Sequence, residues 1–198
     1  MYVPTHFAMS DDDVTAMLTG VGAADLVTAT PEGLRATLLP FVYADGTLRG
    51  HLARNNDQWR LPVLGEAMVI VRGPDAYVSP SWYATKAEHG RVVPTWNYVT
   101  AHVYGEVTFH DSAEWVERVV RDLTAKHENG RARPWAVDDA PERFIAGQLR
   151  AIVGVEVAVS RVEAKRKASQ NRSEADRAGV AAGLAAEGDA AMAREVYP

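Results

Sequence analysis

The sequence contains no cysteine, and this absence removes three classes of site together. Without a thiol, the chain has no disulfide scaffold, no thiolate zinc site and no cysteine nucleophile. The N-terminus lacks a basic stretch followed by an apolar run, and no segment reaches the ~18 to 20 consecutive apolar residues of a membrane span. We therefore expect a cytoplasmic protein with no signal peptide and no contact with a membrane.

Positive charge is also scarce. The chain has 21 Lys and Arg against 26 Asp and Glu, a formal net charge of -5. Because contacts with DNA phosphates need concentrated Lys and Arg, this charge argues against a DNA-binding surface spread over the whole molecule. A local basic patch remains open, with Lys165, Arg166, Lys167 and Arg172 as its candidates.

Several common functional motifs are missing. "GVGAAD" at Gly20 is half of G-x-G-x-x-G, with Asp25 where the third glycine belongs, and neither a P-loop nor a G-x-S-x-G elbow is present. No two histidines have H-x-x-x-H spacing. His102 and His110 share a strand face, but eight strand residues span about 26 Å, so they cannot hold one metal ion.

The residues that are present predict a mainly β chain. Hydrophobic residues make up 47% of it, enough for one sizeable domain. Alternating apolar residues predict antiparallel strands with a few intervening helices, and so a small β-barrel flanked by helices. We expect the main domain over 1–170 and a charged, alanine-rich helical tail over 171–198. More local expectations are a helix capped by Ser10, a hairpin at "ADGT", a strand break at Gly73 and Pro74, a short helix in "NNDQWRLPVLG" and a capping box of Asp139 and Glu142.

One predicted strand, "VPTWNYVTAHVYGEVTF", has two very different faces. Asn97, Val99, Ala101, Val103 and Gly105 form a smooth and largely apolar face. The opposite face carries aromatic and hydrogen-bonding groups. The smooth face is expected inside the barrel, and the other face is free for another role.

Two further stretches could bind a ligand. "GHLARNNDQW" places Arg54 and several amides at a predicted strand-to-helix junction, where a phosphate or carboxylate would fit; the alternative is a capped helix with Arg54 in solvent. "YVSPSWY" and "VPTWNY" concentrate Tyr and Trp, which indicates core, an oligomer interface or a site for a planar ligand.

These stretches, with "MYVPTHF", "HVYGEV", "IVGVEV" and "SQNRSEADRAGV", give the sequence a resemblance to a known family. It resembles the PaiB-type FMN-binding negative transcriptional regulators over nearly the whole chain. Two departures are Ala168 before Ser169 and Ala84 after "PSWY". The resemblance implies a split β-barrel like that of the pyridoxamine-phosphate oxidases and flavin reductases, usually a homodimer with FMN at the subunit interface.

The resemblance also implies roles for individual residues. Arg54, helped by Asn55, would hold the FMN phosphate. Thr37, Leu38 and Leu39 would offer backbone groups to the edge of the flavin ring. His51 and Ala53 would lie near the ring or the ribityl chain, and Trp96, Asn97 and Tyr98 would close the pocket from the second subunit. The remaining candidates, for the phosphate or the ring carbonyl O2, are Lys165, Lys167 and Gln170.

Three functions fit this reading. The first is an FMN-binding dimer that represses genes, directly or indirectly. The second is an FMN-dependent oxidoreductase acting on a small molecule, with His51 or His102 as a proton donor. The third is a protein that stores flavin or handles haem. Whether the protein is an enzyme stays undecided, because a fold does not determine function.

Overall fold

The computed structural model describes residues 1–197, in which six strands close into a barrel in the order β1-β2-β3-β6-β5-β4. Helices flank the barrel, so the predicted fold class is confirmed. No helix in the described residues is long and apolar enough to cross a membrane. The strands are β1 (Ala23–Thr30), β2 (Gly33–Ala44), β3 (Thr47–Ala53), β4 (Ala67–Val78), β5 (Thr95–His110) and β6 (Ile152–Lys167). The helices are α1 (Asp11–Thr19), α2 (Thr85–His89), α3 (Ala113–Glu128), α4 (Glu142–Arg150), α5 (Glu174–Ala186) and α6 (Ala190–Val196).

The chain forms two compact units. The first unit contains residues 1–14, 72–101 and those from 163 onward. The second contains residues 15–71 and 102–162. The N-cap of α1 in the first unit is as predicted, because the Ser10 hydroxyl accepts a hydrogen bond from the Asp13 N–H at 3.2 Å.

The hairpin between β2 and β3 is also as predicted. Asp45 and Gly46 have φ angles of 50° and 72°. Two successive positive φ angles are what a type I′ turn requires, and this turn matches the right-handed twist of the strands that it joins. Ala44 and Thr47, on either side of the two turn residues, are paired, as a two-residue hairpin turn requires.

Strand β5 separates its two faces as the sequence predicts. Val99, Ala101 and Val103 are buried, whereas Tyr98 and His102 are half-buried. An apolar face that alternates with a polar one is expected where one side of a strand lines the barrel interior.

Helix α3 covers part of the barrel in the second unit. Its Val119 and Leu123 pack on Val42 of β2, with Trp115 at the border of the cluster. The Trp115 ring also lies so close to Gly154 that a Cβ there would overlap it. Gly154 is therefore the residue that lets the helix approach β6.

The predicted break in β4 does not occur. Residues 67–78 form one strand that includes Gly73 and Pro74. Met68 and Ile70 pair with β1, and Ile70 is the last residue of that pairing. The backbone N–H and C=O groups of successive residues point to opposite edges of a strand, so Pro74 faces the same edge as Met68 and Ile70. It lies beyond the last pair on that edge, and its missing N–H therefore interrupts no hydrogen bond of the ladder.

Two predicted helical features are replaced by tighter turns. The stretch after Arg54 forms a single 3₁₀ turn, Asp57–Arg60, capped by the Asn56 side chain. The expected capping box of Asp139 and Glu142 is absent, because Asp139 closes another 3₁₀ turn, Val137–Asp139, and Pro141 precedes α4. Pro141 separates the two elements, since proline favours the first position of a helix and disfavours α geometry in the residue before it.

The predicted C-terminal tail is helical and packed. In α5 and α6, Val180, Leu184 and Met192 are buried in a cluster with Val78 and Tyr83 of the same unit. The Trp82 ring lies against Gly183, where a Cβ would overlap the ring. The position of the domain boundary at residue 170 stays a prediction.

Candidate functional site

A gap opens in the second unit where β2 and β3 separate. The two strands pair from Ala44 with Thr47 as far as Phe41 with Gly50, and no further. On the other side of the gap, β3 continues to pair with β6 through Ala53. We call the gap between residues 34–40 of β2 and residues 51–53 of β3 the slot.

The pairing ends at the slot because of Pro40. The bond from the Phe41 N–H to the Gly22 carbonyl, 2.9 Å, shows that Phe41 directs its backbone groups away from β3. Since direction alternates, Pro40 directs its groups toward β3, opposite His51. Proline has no N–H to donate there, so the next pair of the ladder cannot form.

The same alternation separates the three β2 residues predicted to contact the flavin ring. Thr37 and Leu39 are paired with Leu26 and Ala24 of β1, and their backbone groups point to that strand. Leu38 directs its N–H and C=O into the slot. Of the three, Leu38 is therefore the residue that can offer backbone groups to a ligand in the slot.

Side chains close the slot on the inner side of the barrel. The Gln58 side chain, only 2% exposed, donates from Nε2 to the Thr28 hydroxyl at 3.0 Å and accepts from the Thr37 hydroxyl at 2.6 Å. Asn56 Nδ2 donates to the same Thr37 oxygen at 2.9 Å. The Thr37 hydroxyl is thus occupied by protein groups, and only the outer side of the slot is open.

Arg54 directly follows β3, and its side chain is bonded to three other residues of the second unit. Its guanidinium donates to Asp111 Oδ1 at 2.5 Å and to the carbonyls of Arg150 at 2.6 Å and Ile152 at 3.2 Å. The hydrogen bond that Arg54 donates to Asp111 raises the pKa of Arg54 and lowers the pKa of Asp111. Arg54 is fixed in place before any ligand arrives, but its charge is partly neutralised.

Two neighbours of Arg54, Trp59 and Arg60, were not among the residues predicted to contact FMN. The Trp59 ring has the guanidinium of Arg54 at 5.9 Å and that of Arg60 at 5.0 Å from its centroid. Trp59 Nε1 also donates to the Arg54 carbonyl at 2.9 Å. Arg60 directly follows the motif "GHLARNNDQW". Its spacing of three residues from Asp57, with which it forms an ion pair, was the available signal.

The local charges around Arg54 cancel. Arg54 and Arg60 form ion pairs with Asp111 and Asp57, respectively. An anion here would therefore bind through directed N–H donors more than through a net positive field. Asn55, between β3 and the 3₁₀ turn, is exposed and within the same segment.

His51 lies on the β3 side of the slot, next to exposed Ala53. Burial lowers the pKa of His51, so its imidazole is neutral at physiological pH. Its Nδ1 atom is buried and has no hydrogen-bond partner in the described part of the chain. Burial also lowers the pKa of His102.

The second group of predicted residues assembles in the first unit, and we call it the β5–β6 patch: Trp96, Asn97, Tyr98, Lys165, Lys167 and Gln170. Lys165 is 8% exposed, with Nζ 5.3 Å from the Tyr98 ring centroid. Lys167 Nζ donates to the Thr95 hydroxyl at 2.5 Å and to the Trp96 carbonyl at 2.9 Å. Burial lowers the pKa of Lys167.

The amides of the β5–β6 patch are used within the protein. Asn97 Nδ2 donates to the Ser169 hydroxyl at 2.9 Å, and Gln170 bonds to the Ala168 N–H and the Arg166 carbonyl. Asn97 Oδ1 is buried and has no partner in the described residues. The structure therefore brings Trp96, Tyr98 and the two lysines together, while Gln170 folds back on its own backbone.

The predicted basic patch is not a free cationic surface. Lys165 is buried, and Arg166 is held by Asp13 at 3.3 Å and Glu195 at 2.9 Å. The guanidinium of Arg172 lies 4.7 Å from the centroid of the Tyr83 ring. Each of these cations has a protein partner, which weakens the case for direct contact with DNA phosphates.

Comparison with known proteins fits this geometry. Residues 1–161 match the model of the family described as "Putative FMN-binding domain". The chain belongs to this family. It is 31% identical over 182 residues to protease synthase and sporulation protein PAI 2 of Bacillus subtilis, covering 89% of this chain and 85% of that protein. It is 34% identical over 172 residues to an uncharacterized protein of Aspergillus fumigatus, covering 70% of this chain and 66% of that protein.

Two solved structures share the fold. A conserved hypothetical protein from Mycobacterium tuberculosis has a TM-score of 0.61 at 12% identity, covering 88% of this chain and 95% of that chain. A flavocytochrome from Azotobacter vinelandii has a TM-score of 0.61 at 13% identity, covering 88% and 77%. These likenesses concern the split-barrel fold, which the FMN-binding family therefore shares with other flavoproteins.

FMN is the cofactor of this family, and the residues present fit it. The slot supplies an unpaired strand edge with N–H and C=O groups, which suits the donor and acceptor pattern of a flavin ring. Arg54 and Arg60 supply guanidinium donors for a phosphate. When bound, FMN supplies redox chemistry, and the protein supplies position and electrostatics.

Proposed function

We propose that the protein is a cytoplasmic FMN-binding homodimer that acts as a negative transcriptional regulator of the PaiB type. The observation that carries the flavin part is the slot, where a strand edge is left unpaired beside a fixed arginine. The regulatory part is supported by the 31% identity to PAI 2, a protein named for protease synthesis and sporulation.

The phosphate of FMN belongs at Arg54 in this proposal, with Asn55 beside it and Arg60 as an added donor. The ring edge belongs at the slot, opposite Leu38. The β5–β6 patch closes the pocket from the second copy, with Trp96 as its exposed aromatic side chain (50% exposed). Half the site would then come from each subunit.

An apolar surface in the second unit supports the dimer. On the outer face of β2, Leu34 is 72% exposed and Leu38 is 64% exposed. Cross-strand pairing places half-buried Val27, Met68 and Ile70 beside them on the same face. Asp25, the cross-strand partner of both Leu38 and Ile70, is the charged residue within this face. Exposed leucines grouped on a sheet face are typical of an interface between copies.

Mass measurement by light scattering tests the dimer. We expect two copies for the wild-type protein and a shift toward one copy for Leu38→Asp, because a carboxylate would be desolvated in the interface. Val93→Asp is the matched control, since Val93 is also 64% exposed but lies in the loop before β5. A wild-type protein that is monomeric at micromolar concentration would refute the dimer.

Regulation is tested in the native host. Transcript levels are compared between a strain without the gene and strains that carry the wild-type protein or Arg54→Ala. We expect genes that are derepressed in the deletion strain to be repressed again by the wild-type protein alone. Because the basic patch is engaged internally, we expect an indirect effect, with no salt-sensitive binding of the purified protein to DNA.

An FMN-dependent oxidoreductase is the second candidate. The observation that favours it is His51, which is neutral at physiological pH and lies beside the slot, so it can accept or donate a proton. Stopped-flow mixing of the FMN-loaded protein with NADH or NADPH separates the two functions. Fast bleaching of the flavin absorbance supports the enzyme, and no bleaching supports the regulator.

A further inference from the structure

Gln58 is a fully buried amide that joins three backbone segments of the second unit. Its Nε2 donates to the Thr28 hydroxyl at 3.0 Å and to the Leu26 carbonyl at 3.3 Å, both on β1. Its Oε1 accepts from the Thr37 hydroxyl of β2 at 2.6 Å. An amide with both ends bonded in a buried site has one defined position.

The segment that carries Gln58 starts at the end of β3. The Asn56 N–H bonds to the Ala53 carbonyl at 2.9 Å, and the Asn56 side chain accepts from the Gln58 N–H at 2.9 Å. Asn56 also donates to Thr37 at 2.9 Å. A chain of hydrogen bonds therefore connects β3 to β1 and β2 across the slot, at the place where the backbone ladder is missing.

We propose that Gln58 is a positioning residue that holds the unpaired edge of β2 at its spacing from β3, so that the backbone groups of Leu38 stay available to the flavin ring. This inference rests on the proposed binding of FMN in the slot. Gln58 acts through β2 and does not itself touch the flavin, because its amide is used inside the barrel. Thr37 serves as the link between Gln58 and the strand.

An apolar side chain of similar length could not do this. A methionine at position 58 would leave the buried hydroxyl of Thr28 and the half-buried hydroxyl of Thr37 without the Gln58 amide as a partner. Unsatisfied buried groups seek other partners, and the edge of β2 would lose its fixed position. Binding through the ring edge would then weaken, whereas binding through the phosphate at Arg54 would not.

The test uses FMN and N3-methyl-FMN, which cannot donate a hydrogen bond from N3. Apoprotein is titrated with each flavin, and the quenching of flavin fluorescence gives the two dissociation constants. For the wild-type protein we expect FMN to bind about 10-fold more tightly, the effect of one lost hydrogen bond in a partly buried site. For Gln58→Met we expect the preference to fall below about 3-fold. Val119→Ala, which loses core packing away from the slot, should keep the wild-type preference.

The outcomes separate the inference from the function on which it rests. A wild-type protein that binds no FMN overturns the proposed function. A wild-type protein that binds both flavins equally, or a Gln58→Met variant that keeps the full preference, overturns the inference alone. If Gln58→Met does not fold, Thr37→Val removes the hydrogen bond through which Gln58 holds β2, with a residue suited to a strand, and the same criteria apply.

Discussion

The slot and the β5–β6 patch were both predicted to contact FMN, and the fold uses their polar groups in opposite ways. At the slot, the edge of β2 that faces β3 is unpaired at Leu38 in the described part of the chain, and Pro40 keeps it so. In the β5–β6 patch, Lys167 is bonded to Thr95 and Trp96, and Gln170 is bonded to its own backbone. Whether a site can bind a ligand therefore depends more on which polar groups the fold leaves without a hydrogen-bond partner than on which residue types are present.

This difference predicts different consequences for substitutions. Changes at the slot should alter flavin binding with little loss of stability. Changes to buried polar groups of the first unit that are bonded within the protein, such as Asp176, should alter stability, whereas a change at the exposed Trp96 should alter the dimer. Four experiments test that division, in order of decreasing expected effect.

Arg54→Ala should have the largest effect on FMN. Loss of charge-assisted hydrogen bonds to the phosphate should weaken binding by roughly 2–3 kcal/mol. Isothermal titration of apoprotein with FMN measures this, and titration with riboflavin, which has no phosphate, should show a much smaller change. Lys167→Met is the control from the β5–β6 patch. Equal losses in the two variants would contradict the division.

Trp96→Ala should act on the dimer. The ring is half exposed in the single chain, and its Nε1 donates to Asp75 at 2.8 Å. A tryptophan in an interface commonly contributes about 2 kcal/mol or more. We expect dimer dissociation and FMN affinity both to change by about this amount while the unfolding temperature of the monomer stays close to wild type. If neither changes, Trp96 is an ordinary surface residue.

Asp176→Asn should change the dependence of stability on pH. Burial opposes ionisation of Asp176, but hydrogen bonds from the Thr85 N–H at 2.9 Å and from the Thr85 hydroxyl outweigh it and lower the pKa. A lowered folded pKa gives stability that is present above the ordinary carboxyl pKa and is lost as pH falls through the folded value.

At pH 7 we expect Asp176→Asn to lose about 1.5 kcal/mol of unfolding free energy, the low end for a hydrogen bond to a charged group. The difference from wild type should shrink as pH falls below about 4. Urea unfolding at several pH values measures it. Glu88→Gln, an exposed carboxylate of α2, is the control. A difference that stays constant with pH would show that the carboxylate charge is not involved.

Pro40→Ala should have the smallest effect and addresses the slot directly. It supplies the missing N–H opposite His51, so one more pair of the ladder can form and the slot becomes narrower. We expect FMN binding to weaken by about 1 kcal/mol, because the new strand pair competes with the flavin and contributes one hydrogen bond. Hydrogen exchange of the new amide should be slow without FMN and faster with it. An amide that exchanges freely in both states would mean that the slot is held open by other contacts.

Much of the fold could be predicted from the sequence because its signals are local. The Asp45-Gly46 turn, the Ser10 cap and the two faces of β5 each depend on a few neighbouring residues. The break predicted in β4 failed because Pro74 was judged without knowing which edge of the strand was paired. The 3₁₀ turn after Arg54 was predicted as a helix because its capping residues suit either form.

The residue types of the candidate site were also visible in the sequence, but their availability was not. Arg54 could be named from its motif, whereas its bond to Asp111 joins residues far apart along the chain. Leu38 could not be distinguished from Thr37 and Leu39 until the register of β1 and β2 was known. The role of Gln58 could not be predicted from the sequence, because its hydrogen-bond partners Thr28 and Thr37 lie far from it along the chain, on two earlier strands.

The sequence by itself determined the β-barrel fold class, the family and the residue types of the candidate site. These follow from short-range patterns of apolar, turn and polar residues. Only the tertiary structure decided which of their polar groups are already bonded and which remain open. The physical reason is that hydrogen bonds between strands, and the ion pairs around them, are formed by residues brought together only when the barrel closes.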